Sequence, residues 1–164
     1  MKQALSLGLL VAVLFAIFVY FQEAVGASAF YIAALSMAMF AVIGPFGDYF
    51  KTAVAMLIGV IIAMAGIIIL AAKFPLPPDN IAYVALVSGI AVFILVLLSA
   101  TGLRIDAMFI GWAGYHAAVF PLYMADASQL AHQALPAAVG VSVSLLIGLV
   151  LSLLVIKIAM AVNK

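Results

Sequence analysis

Eleven charged residues divide this chain into six long charge-free runs. The charges are Lys2, Glu23, Asp48, Lys51, Lys73, Asp79, Arg104, Asp106, Asp126, Lys157 and Lys164, and the runs are 3–22, 24–47, 52–72, 80–103, 107–125 and 127–156. A helix needs roughly 20 mostly apolar residues to cross a bilayer, and each run is near that length. In hydrocarbon every backbone N–H and C=O needs a partner within the chain, so apolar runs this long must be helical. A β-barrel strand would alternate over about ten residues, and no such period is visible. The expectation is an all-α, polytopic membrane protein with six transmembrane helices. They are placed near 4–21, 27–46, 52–72, 80–102, 105–124 and 134–160, in one domain over 1–164.

The composition excludes several function classes. The 164 residues are 71% hydrophobic and 7% charged, with a mean hydropathy of +1.48. A soluble domain could not cover that much apolar surface with polar groups. The net charge of +1 provides no basic face for nucleic acid. With no cysteine, disulfides, thiolate metal sites and Cys nucleophiles are excluded. No cofactor or metal is expected, and the first partner is the lipid bilayer. Lys2 and the small residues Val25-Gly26-Ala27-Ser28-Ala29 resemble a secretory signal. The apolar stretch 4–21 is longer than a signal core, so it reads as a retained first helix.

Basic residues collect in cytoplasmic loops. Six helices put both termini, the 2–3 loop and the 4–5 loop on one side, which then holds Lys2, Lys51, Arg104, Lys157 and Lys164, five of the six basic residues. Both termini are therefore expected in the cytoplasm, with the chain multi-pass in a cell (inner or plasma) membrane. The loops carry matching punctuation. Pro75-Leu76-Pro77-Pro78-Asp79-Asn80 leads into helix 4, with Asp79 or Asn80 as its N-cap. Gly44-Pro45-Phe46-Gly47-Asp48 breaks helix 2. Residues 124–133 form the longest polar connection, and Pro136 suits the first turn of helix 6.

The two halves of the chain are weakly alike. Met56-Leu57-Ile58-Gly59 in helix 3 matches Leu145-Leu146-Ile147-Gly148 in helix 6, and Ala4 and Gly8 match Ala85 and Gly89. Repeats of three helices must be inverted across the membrane, an arrangement common in transporters and channels. Chance recurrence of Leu, Ile, Ala and Gly is the alternative. Small residues also recur every fourth position, a spacing that lets helix backbones approach closely. Helix 6 has Gly140, Ser144, Gly148 and Ser152, helix 3 has Ala55, Gly59 and Ala63, and helix 1 has Ala4, Gly8, Ala12 and Ala16. Each stripe suits packing within the chain or a subunit interface in a homo-oligomer.

Helix 5 differs from the rest. It holds the sole Trp, Trp112, and a mid-helix His116. At 100° per residue, Ala107, Gly111, Gly114 and Ala118 form one narrow small-residue face. Trp112, His116, Val119 and Tyr123 form a second face. An ionisable group inside a membrane is by default a functional candidate, so Trp112, His116 and Tyr123 are candidates for a solute pathway. The alternative is a neutral His116 bonded to a neighbouring helix. Pro45 and Gly47 free backbone carbonyls at the end of helix 2, and broken helices expose such groups to solutes. Asp48 and Lys51 are three apart, close enough to pair on a helix, and Arg104 with Asp106 forms a second charged cluster on that side. These four are candidates for a gate or vestibule, or else anchors of helix ends.

The stretch 30–69 has an aromatic-led helix, then Gly44-Pro45-x-Gly47-x-x-x-Lys51, then a helix with Leu57-Ile58-Gly59-x-x-x-Ala63. It resembles the membrane half of the fusaric acid resistance and aromatic acid exporter superfamily. In size the chain is closer to the small bacterial inner-membrane proteins of domain-of-unknown-function family 1097, which it resembles in its Pro-x-Gly and Lys after helix 2 and its Gly-rich helix 5. The resemblance implies a six-helix membrane fold with Pro45, Gly47 and Lys51 at a solute-facing break. The exporters also carry a cytoplasmic domain and a second membrane half, which have no counterpart in these residues. No ATP-binding motif and no catalytic constellation are apparent, so an enzyme is not expected. The reading is a small channel or transporter-like protein that passes a small solute, with an accessory subunit of a larger membrane complex as the alternative.

Overall fold

The computed structural model describes residues 2–27, 30–72, 80–126 and 129–162. These residues are helical apart from short connections. The helices are α1 (Lys2–Phe21), α2 (Phe30–Met37), α3 (Phe40–Ile43), α4 (Tyr49–Ala71), α5 (Ile81–Ser99), α6 (Ile105–Ala125) and α7 (Leu130–Val162). Helices 1 and 3 to 6 of the sequence reading thus become α1 and α4 to α7, while helix 2 becomes the pair α2 and α3. Among the described residues, three segments are long and apolar enough to cross a membrane: Tyr49–Ala71, Ile81–Ser99 and His132–Ala161. That agrees with a membrane location. Shorter apolar helices cover Leu7–Phe21 and Phe30–Ile43.

Local chemistry sets the helix ends. The Asp48 side chain accepts from Lys51 N–H at 2.8 Å and starts α4. Asn80 accepts from Ala82 N–H at 3.0 Å and starts α5. Each satisfies an N–H that the first helical turn leaves without a partner. Gly44 (φ +69°) follows α3 and Gly102 (φ +81°) follows α5. This left-handed conformation ends helices and favours glycine. The expected alternative cap, Asp79, lies outside the described residues.

The core lies where α4 meets α6 and α7. Met56, Val60 and Ile67 of α4, Met108, Tyr115 and Val119 of α6, and Val141 and Leu145 of α7 are all buried. Side-chain bonds tie neighbouring helices end to end. The Tyr83 hydroxyl of α5 donates to Ile69 O of α4 at 3.0 Å. The Tyr115 hydroxyl of α6 donates to Ala134 O of α7 at 3.0 Å. A smaller cluster joins Phe18 of α1 to Ala33 of α2 and Leu151 of α7. Apolar side chains also point outward, among them Ile81, Leu86, Ile90 and Phe93 of α5. That is the surface expected where lipid is the solvent.

Two expectations about helix 2 and helix 6 are corrected. Helix 2 is not continuous over 27–46: it breaks after Met37 and resumes at Phe40. Around the break, Met39 N–H bonds to Ser36 O at 3.1 Å, Ala41 N–H to Ala38 O at 3.2 Å and Val42 N–H to Met39 O at 3.0 Å. These bonds span three residues instead of four, which tightens the turn. Helix 6 starts at Leu130 rather than near 134, so Pro136 lies inside it and not in its first turn. The physical reason is burial. Leu130 and Ala134 are both buried, and packing them draws the end of the polar connection into the helix.

Candidate functional site

Two helix pairs cross at glycines, and these crossings position the candidate residues. A side chain added at Gly59 of α4 would meet the Met108 carbonyl oxygen and come within 2.9 Å of Trp112 N. One added at Gly111 of α6 would meet the Met56 carbonyl oxygen. Each helix thus presents a glycine to the other's backbone. Further along, Lys51 Nζ comes within 3.6 Å of the Cβ position of Gly102. Lys51 stands in the first turn of α4 and Gly102 just before α6, so the two helices begin close together and run parallel from there to the Gly59–Gly111 crossing. The second crossing joins α2 and α7. A side chain at Gly148 would meet Ser36 Oγ and the Ala33 carbonyl oxygen, and Ser152 Oγ lies 3.5 Å from Met37 O. These contacts advance together along both helices, so α2 and α7 are parallel too.

The helix 6 stripe is buried against its own chain. Gly140, Ser144, Gly148 and Ser152 are all buried. The Ser144 hydroxyl bonds to Gly140 O at 2.8 Å and the Ser152 hydroxyl lies 2.9 Å from Gly148 O. Both hydroxyls are satisfied one turn back, as serines in apolar helices commonly are. Ala55, Gly59 and Ala63 are buried as well. The helix 1 stripe is the exception. Gly8, Ala12 and Ala16 are exposed, and nothing lies within 4 Å of a Cβ added at Gly8. Beside it an open apolar groove of about 590 Å³ runs between α1 and α2, lined by residues that include Leu7, Gly8, Val11, Ala12 and Met37. None of the predicted pathway or gate residues lines this groove.

The predicted aromatic face of α6 divides in two. Val119 and Tyr123 are buried, whereas Trp112 and His116 are half-buried. Tyr123 stacks on Phe120 with ring centroids 5.6 Å apart. Trp112 and His116 stand one turn apart with ring centroids at 4.1 Å and an angle of 37°. His116 Nδ1 lies 2.9 Å from Trp112 O. A carbonyl can only accept, so Nδ1 carries the proton in that bond and a neutral ring keeps its lone pair on Nε2. Among the described residues, Trp112 Nε1 is the buried side-chain polar atom that has no hydrogen-bond partner. The indole N–H is a donor only. Gly114 shares the other face of α6, with Ile32 Cγ2 at 3.4 Å and Leu145 Cδ2 and Val141 Cγ1 at 3.8 Å from its Cβ position.

Four charged residues, Asp48, Lys51, Arg104 and Asp106, lie at the starts of α4 and α6. Asp48 and Lys51 meet as helix cap and capped N–H. Arg104 instead bonds Asp106, Nε to Oδ1 at 3.1 Å and Nη2 to Oδ2 at 2.6 Å. Asp106 Oδ1 also accepts from Ala107 N–H at 2.8 Å. The charge-free run 107–125 starts just past this pair. The Arg104 guanidinium holds the Asp106 carboxyl below the usual carboxylate range, against the opposing effect of burial. Pro45 is exposed and Gly47 half-buried at the turn before α4, where the Tyr49 hydroxyl donates to Gly44 O at 3.0 Å. The fold therefore brings Lys51 beside the Arg104–Asp106 loop. It leaves Trp112 and His116 further along α6, roughly 15 Å from Asp106 to His116 at 1.5 Å per residue.

Sequence reasoning missed the break after Met37, which no Gly or Pro marks, and the bond from Tyr115 to Ala134 O. Among the described residues no group of three His, Asp or Glu side chains could hold a metal. No known family model, curated protein or solved structure matches the chain.

Proposed function

We propose that the chain is a multi-pass membrane protein of six spans that passes a small solute, working as a homo-oligomer. The observation that carries this reading is the Trp112–His116 pair. α6 carries no charge over 107–125, yet it holds two polar rings in contact there, and one of their N–H groups is buried without an acceptor. Polar groups within a membrane segment are costly and mark solute or ion routes. On this reading Trp112 and His116 line the route. Lys51, Asp48, Pro45, Gly47, Arg104 and Asp106 sit around its cytoplasmic mouth, and Tyr123 lies toward the far end. Both termini are cytoplasmic. The parallel course of α4 and α6 supports this, because it puts their basic starts, Lys51 and Arg104, on one side.

The inverted three-plus-three repeat is part of the proposal. Under the match of helix 3 to helix 6 and helix 2 to helix 5, Gly59 corresponds to Gly148. Gly59 packs on the backbone of helix 5 and Gly148 on the backbone of helix 2. The pairing of glycine crossings is what the repeat requires. The resemblance to the family 1097 membrane proteins and the aromatic acid exporters agrees with the same architecture. The subunit contact is assigned to α1, whose small-residue stripe is open where the other two are filled.

An accessory role in a larger complex is the second reading, and it draws on that same open groove. Purified protein reconstituted into liposomes and tested with a panel of small solutes separates the two. Passage of at least one solute above protein-free liposomes is expected. A protein that is intact, oligomeric and inert toward the whole panel would favour the accessory role.

A further inference from the structure

Trp112 and His116 sit one turn apart on α6, and the Gly59 and Gly111 crossing fixes the backbone that carries them. Their polar atoms are complementary. His116 Nδ1–H is committed to Trp112 O at 2.9 Å, which leaves the Nε2 lone pair as an acceptor. Trp112 Nε1–H is a donor that no acceptor among the described residues meets. Buried donors in native proteins are nearly always partnered, and an orphan calls for an explanation such as an absent ligand or water. The two residues stand on one face of α6 with ring centroids 4.1 Å apart. No charge stands in the run 107–125, and at its start Asp106 is already paired with Arg104. An ion at this depth would find no counter-charge on α6, and its desolvation would go uncompensated.

We propose that Trp112 and His116 form a recognition site for a neutral solute that offers an acceptor and a donor on one planar group, the pattern of a primary amide or an undissociated carboxylic acid. The solute's carbonyl oxygen accepts from Trp112 Nε1–H, and its N–H or O–H donates to His116 Nε2. The inference rests on the passage reading for its physiological sense, but binding is measured separately from passage.

The sole tryptophan of the chain is the reporter. Detergent-solubilised protein is titrated with propionamide, with N,N-dimethylpropionamide, which lacks the donor, and with propionate at neutral pH. Trp112 emission is expected to shift saturably with propionamide, and binding of the dimethyl analogue and of the anion should be weaker by at least about tenfold, as for sites built around a hydrogen bond. His116→Phe keeps a stacked ring and removes the acceptor, so it should lose the preference for propionamide over the dimethyl analogue. If that variant does not fold, the wild-type comparison of the two amides still decides. Equal binding of both amides, or preferred binding of propionate, would overturn the proposal. So would propionamide flux in liposomes with no change in Trp112 emission. Saturable propionamide binding by a protein inert toward the whole solute panel would uphold the site and instead remove the passage reading.

Discussion

Gly111 and Gly114 are three residues apart on α6 and respond in opposite ways to the same added methyl group. At Gly111 the methyl would overlap the Met56 carbonyl oxygen, which belongs to a helix backbone and cannot turn aside. At Gly114 it would make ordinary contact with Ile32 Cγ2 at 3.4 Å. Overpacking costs about 1–3 kcal/mol, whereas Gly→Ala in a helix interior gains roughly 0.5–1 kcal/mol. Gly111→Ala should therefore lower the melting temperature in detergent, and Gly114→Ala should leave it unchanged or raise it. A similar loss in both would mean that the α4–α6 crossing is not the close one. The small-residue stripes were legible in the sequence because i, i+4 spacing is a property of the helix alone. What each stripe meets was not legible: Gly148 and Gly8 each belong to a stripe of the same spacing, yet one abuts Ser36 and Ala33 and the other meets nothing.

At the scale of the element, helix starts separate capping from gating. Asp48 accepts from Lys51 N–H, and Asn accepts through its amide oxygen equally well. Removing such a cap costs about 0.5–2 kcal/mol. Asp48→Ala should lose that much stability and Asp48→Asn little, measured by thermal melts. A gate that used the carboxylate charge would show its defect in Asp48→Asn flux as well. The Arg104–Asp106 pair predicts a pH dependence with a definite sign. The carboxyl of Asp106 is held low by Arg104, so its contribution is present above the unfolded value of about 3.9 and fades as pH falls through the lower folded value. The pair is partly exposed, and such pairs contribute about 0.2–1 kcal/mol. The stability difference between wild type and Asp106→Asn should hold from neutral pH to about 5 and shrink only in stronger acid. A difference that shrank between neutral pH and 5 would show that Arg104 does not hold the carboxyl low. Helix identity and caps such as Asn80 were readable because charge, Pro and Asn act locally. The break after Met37 and the early start of α7 were not, because they arise from contacts distant in sequence: Met37 O lies near Ser152 Oγ, and Leu130 and Ala134 are buried in the core.

For the whole molecule, two predictions test the architecture. Reporter fusions after Lys164 and within 73–79 should report opposite sides of the membrane, with the C-terminal one cytoplasmic. An external C-terminus would break both the six-span count and the assignment of Lys51 and Arg104 to the cytoplasm. The second prediction compares the two glycine crossings. If the halves are related by an inverted repeat, Gly59 and Gly148 are equivalent positions, each pressed on the backbone of a parallel helix. A leucine at either then forces the same kind of separation, α4 from α6 or α7 from α2. Gly59→Leu and Gly148→Leu should destabilise the protein by similar amounts, each about 1–3 kcal/mol or more. Leu149→Ile, a volume-conserving change beside one of these crossings, should cost under about 1.5 kcal/mol. The sites lie on different helix pairs, so their effects should add in the double variant as those of separate contacts do. A large loss at Gly59 with none at Gly148 would leave α4 and α6 as the structural centre, with α2 a loosely held element. The broken course of α2 and α3 would then reflect weak packing, not symmetry.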